Sequence, residues 1–206
     1  MPRRVDLARI RRLAQSSLQS TMDRYEAAVT AKLDYLLVRW IAQMTAVELH
    51  VVWERFAEDR LIVALNNDSS FFLETNHVFG IARVPNGLAR FAARGGERYF
   101  DFRSCSELIE RADRLVGKTG DPFRNIPTGD RKFLDVLSAI RNRVVHGNDA
   151  AIATYRRFLR DVYGIQAAPE PSEFLNALDN RKGSPARRRS RLHGLAAVLE
   201  RTIAAT

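Results

Sequence analysis

Between residues 21 and 66 the chain holds neither glycine nor proline, and no other feature constrains its fold as strongly. Apolar residues recur there at spacings of three and four: Tyr25, Ala28, Val29, Leu33, Leu36, Leu37, Trp40, Ile41, Met44 and Val47. The pattern runs on through Val51, Val52, Phe56, Leu61, Ile62 and Leu65. Side chains three and four apart share a helix face, so the run predicts one very long early helix or two in succession. Either is the spine of an all-α bundle. The turn formers Asn66-Asn67-Asp68-Ser69-Ser70 close it.

Residues 71–103 are the least regular part, broken by Pro85, Gly87, Gly95 and Gly96. Tyr99-Phe100-Asp101-Phe102 alternates as a strand does, leaving room for a short β-hairpin in this region. Ser104 with Glu107 reads as a capping box opening a helix over 105–116 that stops at Gly117. Gly120-Asp121-Pro122-Phe123 reads as a turn. Phe133, Leu134, Leu137, Ile140, Val144 and Val145 then mark a helix over 130–145. Asp149 is the expected cap of a helix reaching Tyr163 and ended by Gly164, and a last helix is expected over 185–204. No internal repeat appears, and one domain over 1–206 is expected, with its core motif at 121–164 and a basic C-terminal segment at 181–206.

A hydrophobic fraction of 46% with 28% charged residues is that of a globular protein. The most apolar stretch, 35–53, is interrupted by Arg39, Glu48 and His50, so no membrane span is expected. Residues 7–18 alternate arginine with apolar residues, unlike the continuous apolar run of a signal peptide. Cys105 is alone, which fits a reducing, cytoplasmic setting. A net charge of +9 favours polyanionic partners, nucleic acid first, with an acidic protein or a merely solvated surface as the other readings. The tract 181–191 is either a mobile nucleic-acid-binding arm or a solvated helix start.

The chemistry-bearing segment is Arg141-Asn142-Arg143-Val144-Val145-His146-Gly147. Its Arg-x-x-x-x-His spacing is weak by itself, because Arg188, His193 and Gly194 repeat it. Context separates the two. Arg141 ends an uninterrupted amphipathic helix, whereas Arg188 follows Gly183-Ser184-Pro185 in an arginine cluster. Val144 and Val145 can fix His146 against a core. Asn142 and His146 are four apart and share a face. Arg141, five residues away, converges only if the helix ends near His146, and Gly147 is suited to end it. The C-terminal carbonyls would then favour the imidazolium. Arg143 and Asn148 flank the motif as candidate substrate-binding residues, and Glu54 is an accessory candidate for pairing with Arg141. His50 and His77 have no acidic or cysteine neighbours at metal-ligand spacing, so no metal site is expected. Neither a glycine-rich phosphate loop nor a Ser-His-Asp order is evident.

Arg141-Asn142 followed by three residues and His146 resembles the Arg-polar-x-x-x-His signature of the HEPN superfamily. The lead-in helix 133–140 and the loop Asp121-Pro122-Phe123 are similar to those of RiboL-PSP-type members, and Trp53-Glu54-Arg55-Phe56 on the long helix is compatible with them. The resemblance is strongest over 121–148. It implies a HEPN-like helical bundle that forms a homodimer and cleaves RNA without a cofactor. The catalytic residues would be Arg141, Asn142 and His146, from two protomers lining one cleft. It also implies a toxin or defence role, with an antitoxin or nucleotidyltransferase partner. Other HEPN proteins have lost catalysis, so a non-catalytic RNA-binding or protein-interaction module is the alternative. RNA carries its own nucleophile, and cleavage needs a base, an acid and positive charge at the phosphate. One chain offers one convincing histidine for two proton transfers, which makes a dimer part of the expected mechanism.

Overall fold

The computed structural model describes residues 6–181 and 187–206. Among them every regular element is a helix, and the single β-type pairing is an isolated bridge between Leu178 and Ser190. In order they are α1 (Leu7–Thr30), α2 (Tyr35–Asn67), α3 (Ser70–Thr75), α4 (Asn86–Ala93) and α5 (Cys105–Gly120). Then come α6 (Thr128–Val145), α7 (Asp149–Tyr163), α8 (Pro171–Asn176) and α9 (Arg191–Ala205).

The glycine-free run is two helices, not one. Lys32 takes a left-handed φ of 51°, and the Asp34 carboxylate caps α2 by accepting from the amides of Leu36 and Leu37. An aspartate bonded to the second and third amides of a helix restarts it without any glycine. α1 folds back along α2, where Arg24 of α1 pairs with Glu48 of α2.

α2 is the central element. Leu61, Ile62 and Val63 are consecutive and all buried, which a helix covered on one face cannot achieve. Trp53, fully buried, stacks on Phe56 and meets Phe102 and Phe123 edge-on, with ring centroids 5.9 to 6.2 Å apart. Phe123 reaches that position from the Asp121-Pro122-Phe123 turn, where Asp121 Oδ1 accepts from the Phe123 amide at 2.7 Å. Buried residues from Ile10 on α1 to Ile203 on α9 form one continuous core. No helix is long and apolar enough to cross a membrane among the described residues.

Tyr99-Phe100-Asp101-Phe102 is not a strand. The alternation is real in burial, with Phe100 and Phe102 inside and Tyr99 and Asp101 exposed, but among the described residues no segment pairs with the backbone. Ser104 does cap α5, accepting from the Glu107 amide at 3.2 Å. α5 is kinked at Gly117, whose φ of 70° only glycine adopts without strain. The last helix starts at Arg191, because residues 187–190 form a turn and the bridge; the expected start at Pro185 and Ala186 lies outside the described residues.

Arg187, Arg188 and Arg189 of the basic tract are exposed just before α9, as a solvated helix start would be, but the residues at its two ends are held down. Arg181 is latched to the buried Asp179 carboxylate (Nε 2.8 Å from Oδ1, Nη2 2.5 Å from Oδ2). Its guanidinium lies 4.0 Å from the Tyr163 ring centre and 4.8 Å from that of Phe133, and Arg191 covers Phe174 at 4.9 Å. Desolvated cation–π contacts of this kind hold a chain segment down.

Candidate active site

α6 carries the motif and is anchored along its whole length. Leu134, Val136, Leu137, Ala139 and Ile140 are buried, and Ser138 Oγ meets His50 Nε2 of α2 at 2.9 Å. Ser138 Oγ also donates to the Leu134 carbonyl at 3.1 Å, so the His50 nitrogen is the donor in its bond to Ser138. At the far end Arg143 Nη2 grips both oxygens of Glu170, at 3.1 and 3.3 Å, tying the last turn of α6 to the start of α8.

The helix ends where the motif needs it to. His146 is the C-cap, its amide donating to the Asn142 carbonyl at 3.0 Å, and Gly147 turns left-handed at φ 60°. The turn brings the three residues together. Arg141 Nη1 donates to Asn142 Oδ1 at 2.8 Å and to His146 Nε2 at 2.9 Å. A guanidinium has no acceptor, so Nε2 accepts and the imidazole carries its proton on Nδ1. The contact is therefore made by the neutral ring, not by the imidazolium that the helix C-terminus alone would favour.

Two sequence expectations change here. Val144 packs against the core, but Val145 is 52% exposed and His146 is exposed as well; the arginine, not a valine pair, holds the histidine. Asn148, rather than Asp149, caps α7 by accepting from the Ala151 amide at 2.9 Å. Its side-chain oxygen is thereby engaged in the fold, as Arg143 is with Glu170.

Glu54 Oε1 lies 3.5 Å from His50 Nδ1, and among the described residues Glu54 forms no ion pair with Arg141. Glu54 and Arg141 nevertheless line one cavity of about 390 Å³, with Glu58, Arg94, Tyr99 and Asp101. Tyr99 and Asp101, which line this cavity, were not among the candidate residues of the sequence. Their alternation with buried phenylalanines was the signal, read only as a strand.

The duplicate motif does not assemble. His193 faces Ser190 Oγ at 2.7 Å and Glu26 Oε1 at 3.1 Å, while the Arg188 amide donates to the Asp179 carbonyl at 2.9 Å. Among the described residues no three His, Cys, Asp or Glu side chains gather as a metal-ligand set. Cys105 is buried, and burial beside Asp135 pushes its thiol well up from its ordinary range. Comparison with protein-family models, with curated proteins and with solved structures gives no match.

Proposed function

We propose that this chain is a metal-independent endoribonuclease of the HEPN type, leaving 2′,3′-cyclic phosphate ends. One observation carries the reading: a single guanidinium nitrogen, Arg141 Nη1, bridges Asn142 and His146 at an exposed helix end. An arginine stays charged and can grip two phosphate oxygens at once. A neutral histidine beside it is the usual proton acceptor for such chemistry.

The contact supports a definite order of events. With Nε2 accepting from Arg141, the base is occupied. A phosphate competes for the guanidinium, draws Arg141 onto its oxygens and frees the Nε2 lone pair. His146 then takes the 2′-OH proton as the 2′-oxygen bonds to phosphorus. The P–O5′ bond breaks, and the departing oxygen takes a proton from the partner subunit's His146 in its protonated form. Arg141 offsets the charge of the phosphorane, and Asn142 keeps the guanidinium near the ring. A homodimer with a composite site supplies both proton transfers. The net charge of +9 suits an RNA substrate. A toxin or defence role, with an antitoxin or nucleotidyltransferase partner and a cytoplasmic site of action, follows from the resemblance.

A second reading, a non-catalytic RNA-binding module, draws on the same contact, because a histidine whose lone pair is already engaged is also a stable structural end to α6. Structured RNA incubated in EDTA with wild type, His146→Ala and Arg141→Ala separates the two. The ribonuclease reading expects cleavage by wild type and at least a hundredfold loss in each variant, about the contribution of a general base. RNA bound but left intact by wild type favours the second reading.

A further inference from the structure

The cavity beside Arg141 has a wall whose order does not come from secondary structure. Arg94 fixes it from behind: Nε pairs with Glu58 at 2.6 Å and Nη1 donates to the Arg98 carbonyl at 2.8 Å. Phe100 lies under the Arg111 guanidinium at 5.3 Å, and Phe102 packs on Trp53. Tyr99, Phe100 and Asp101 all line the cavity; Phe100 is buried, whereas Tyr99 is 68% exposed.

A large aromatic ring left in solvent at the lip of a cavity is a stacking platform, since every nucleobase presents a π face. The Arg98 guanidinium lies 5.2 Å from the Tyr99 ring centre and stiffens it on one side. The wall carries Arg55, Arg94 and Arg141 beside Glu54, Glu58 and Asp101. Arg94 is engaged by Glu58 and the Arg98 carbonyl, and Arg141 by Asn142 and His146. Asp101 has no ion-pair partner among the described residues, and an ionised carboxylate only accepts. With Glu58 held by Arg94, Asp101 is an exposed acceptor on this wall and suits a base edge that donates. The volume of about 390 Å³ falls within the ~300–1,000 Å³ of small-ligand sites.

We infer that this cavity is the base-recognition subsite of the cleft: Tyr99 stacks a nucleobase adjoining the phosphate at Arg141, and Asp101 accepts from its exocyclic amino group. The inference rests on the ribonuclease reading for its substrate, RNA. It predicts discrimination between cytosine and uracil, which share a ring size and differ at position 4 by an amino group against a carbonyl. A carboxylate accepts from cytosine N4 but is repelled by uracil O4, so a preference of about tenfold is expected.

The test uses full-length wild type, Tyr99→Ala and Asp101→Asn, both substitutions falling on exposed side chains. Fluorescence anisotropy reads their binding to labelled single-stranded oligocytidine and oligouridine, and cleavage of mixed C/U oligonucleotides in EDTA is followed in parallel. Wild type binds oligocytidine about tenfold more tightly. Asp101→Asn loses that preference, because an amide also donates to uracil O4. Tyr99→Ala weakens binding to both, by about tenfold for the lost stack. Equal binding of the two oligomers by wild type, or an unchanged preference in Asp101→Asn, overturns the inference. Cleavage without base preference sinks the subsite alone, and preference without cleavage sinks the ribonuclease alone.

Discussion

Gly147→Ala is the substitution that most cleanly probes how the fold makes the site. Gly147 sits at φ 60°, and a Cβ built on it meets only Arg143 Nη1 at 3.8 Å and the Arg143 carbonyl at 4.0 Å. Those are ordinary contacts, so the cost is torsional rather than steric. An L-residue in the left-handed region costs about 1–2 kcal/mol. For a chain of this size each 1 kcal/mol moves the melting temperature by about 2–4 °C, so Gly147→Ala should melt about 2–8 °C lower by scanning calorimetry. Gly147→Asn should lose less, because asparagine tolerates this conformation. The site should follow the same order. A residue that resists the left-handed turn lets α6 run on past His146 and swings the ring off Arg141, so RNA cleavage falls more in the alanine variant than in the asparagine one. An alanine variant melting within about 1 °C of wild type, or an asparagine variant equally damaged, would refute the reasoning.

The buried pair of His50 and Ser138, 2.9 Å apart, should show the asymmetry of internal hydrogen bonds. Ser138→Ala strands the His50 donor and should cost about 1–3 kcal/mol in chemical denaturation, whereas His50→Leu with Ser138→Ala should cost less than the two single changes summed. An additive double variant counts against the pairing. Tyr163 is pushed from its ordinary 10.0 up to about 12, first by burial, with Asp179 adding and Arg181 and Arg191 opposing. The unfolded phenol ionises first, so stability is full below pH 10 and declines as pH rises toward about 12; a melting temperature flat across that window contradicts it. Burial lowers His193 from its ordinary 6.5, Arg189 lowers it further, and Glu26 opposes both. The unfolded ring takes its proton first, so this group's contribution to stability is present above pH 6.5 and lost as the pH falls below it. In an NMR titration Glu26→Gln should move His193 lower still, and an upward move would show that Glu26 is not its partner.

Much of this architecture is written locally. Ser104, Gly147 and Gly164 each mark a helix boundary, and Gly117 a kink, because capping and left-handed geometry are properties of one or two residues. Asp34 stands just before an apolar run, but the unbroken periodicity on both sides of residues 31–34 hides the break that it caps. α8 opens on Pro171, a good first helical residue, in a stretch too short to show a period. What the chain order conceals is pairing at a distance. Arg181 looks like one of a cluster of surface arginines, and only the approach of Tyr163 and Phe133 from other helices turns it into a latch. The alternation of residues 99–102 is real, but whether it makes a strand depends on a partner strand that none of the described residues supplies. The candidate site shares this division: Asn142 and His146 are neighbours by helix geometry alone, whereas the reach of Arg141 to both depends on the helix stopping at Val145.

The most direct measurement is the end chemistry and rate of RNA cleavage in EDTA by wild type, His146→Ala, Arg141→Ala and a mixture of the two variants. The account predicts 2′,3′-cyclic phosphate ends from wild type and a loss of at least a hundredfold in each variant alone, the scale of one proton-transfer catalyst. Undiminished cleavage by His146→Ala, or 3′-hydroxyl ends from wild type, would contradict it.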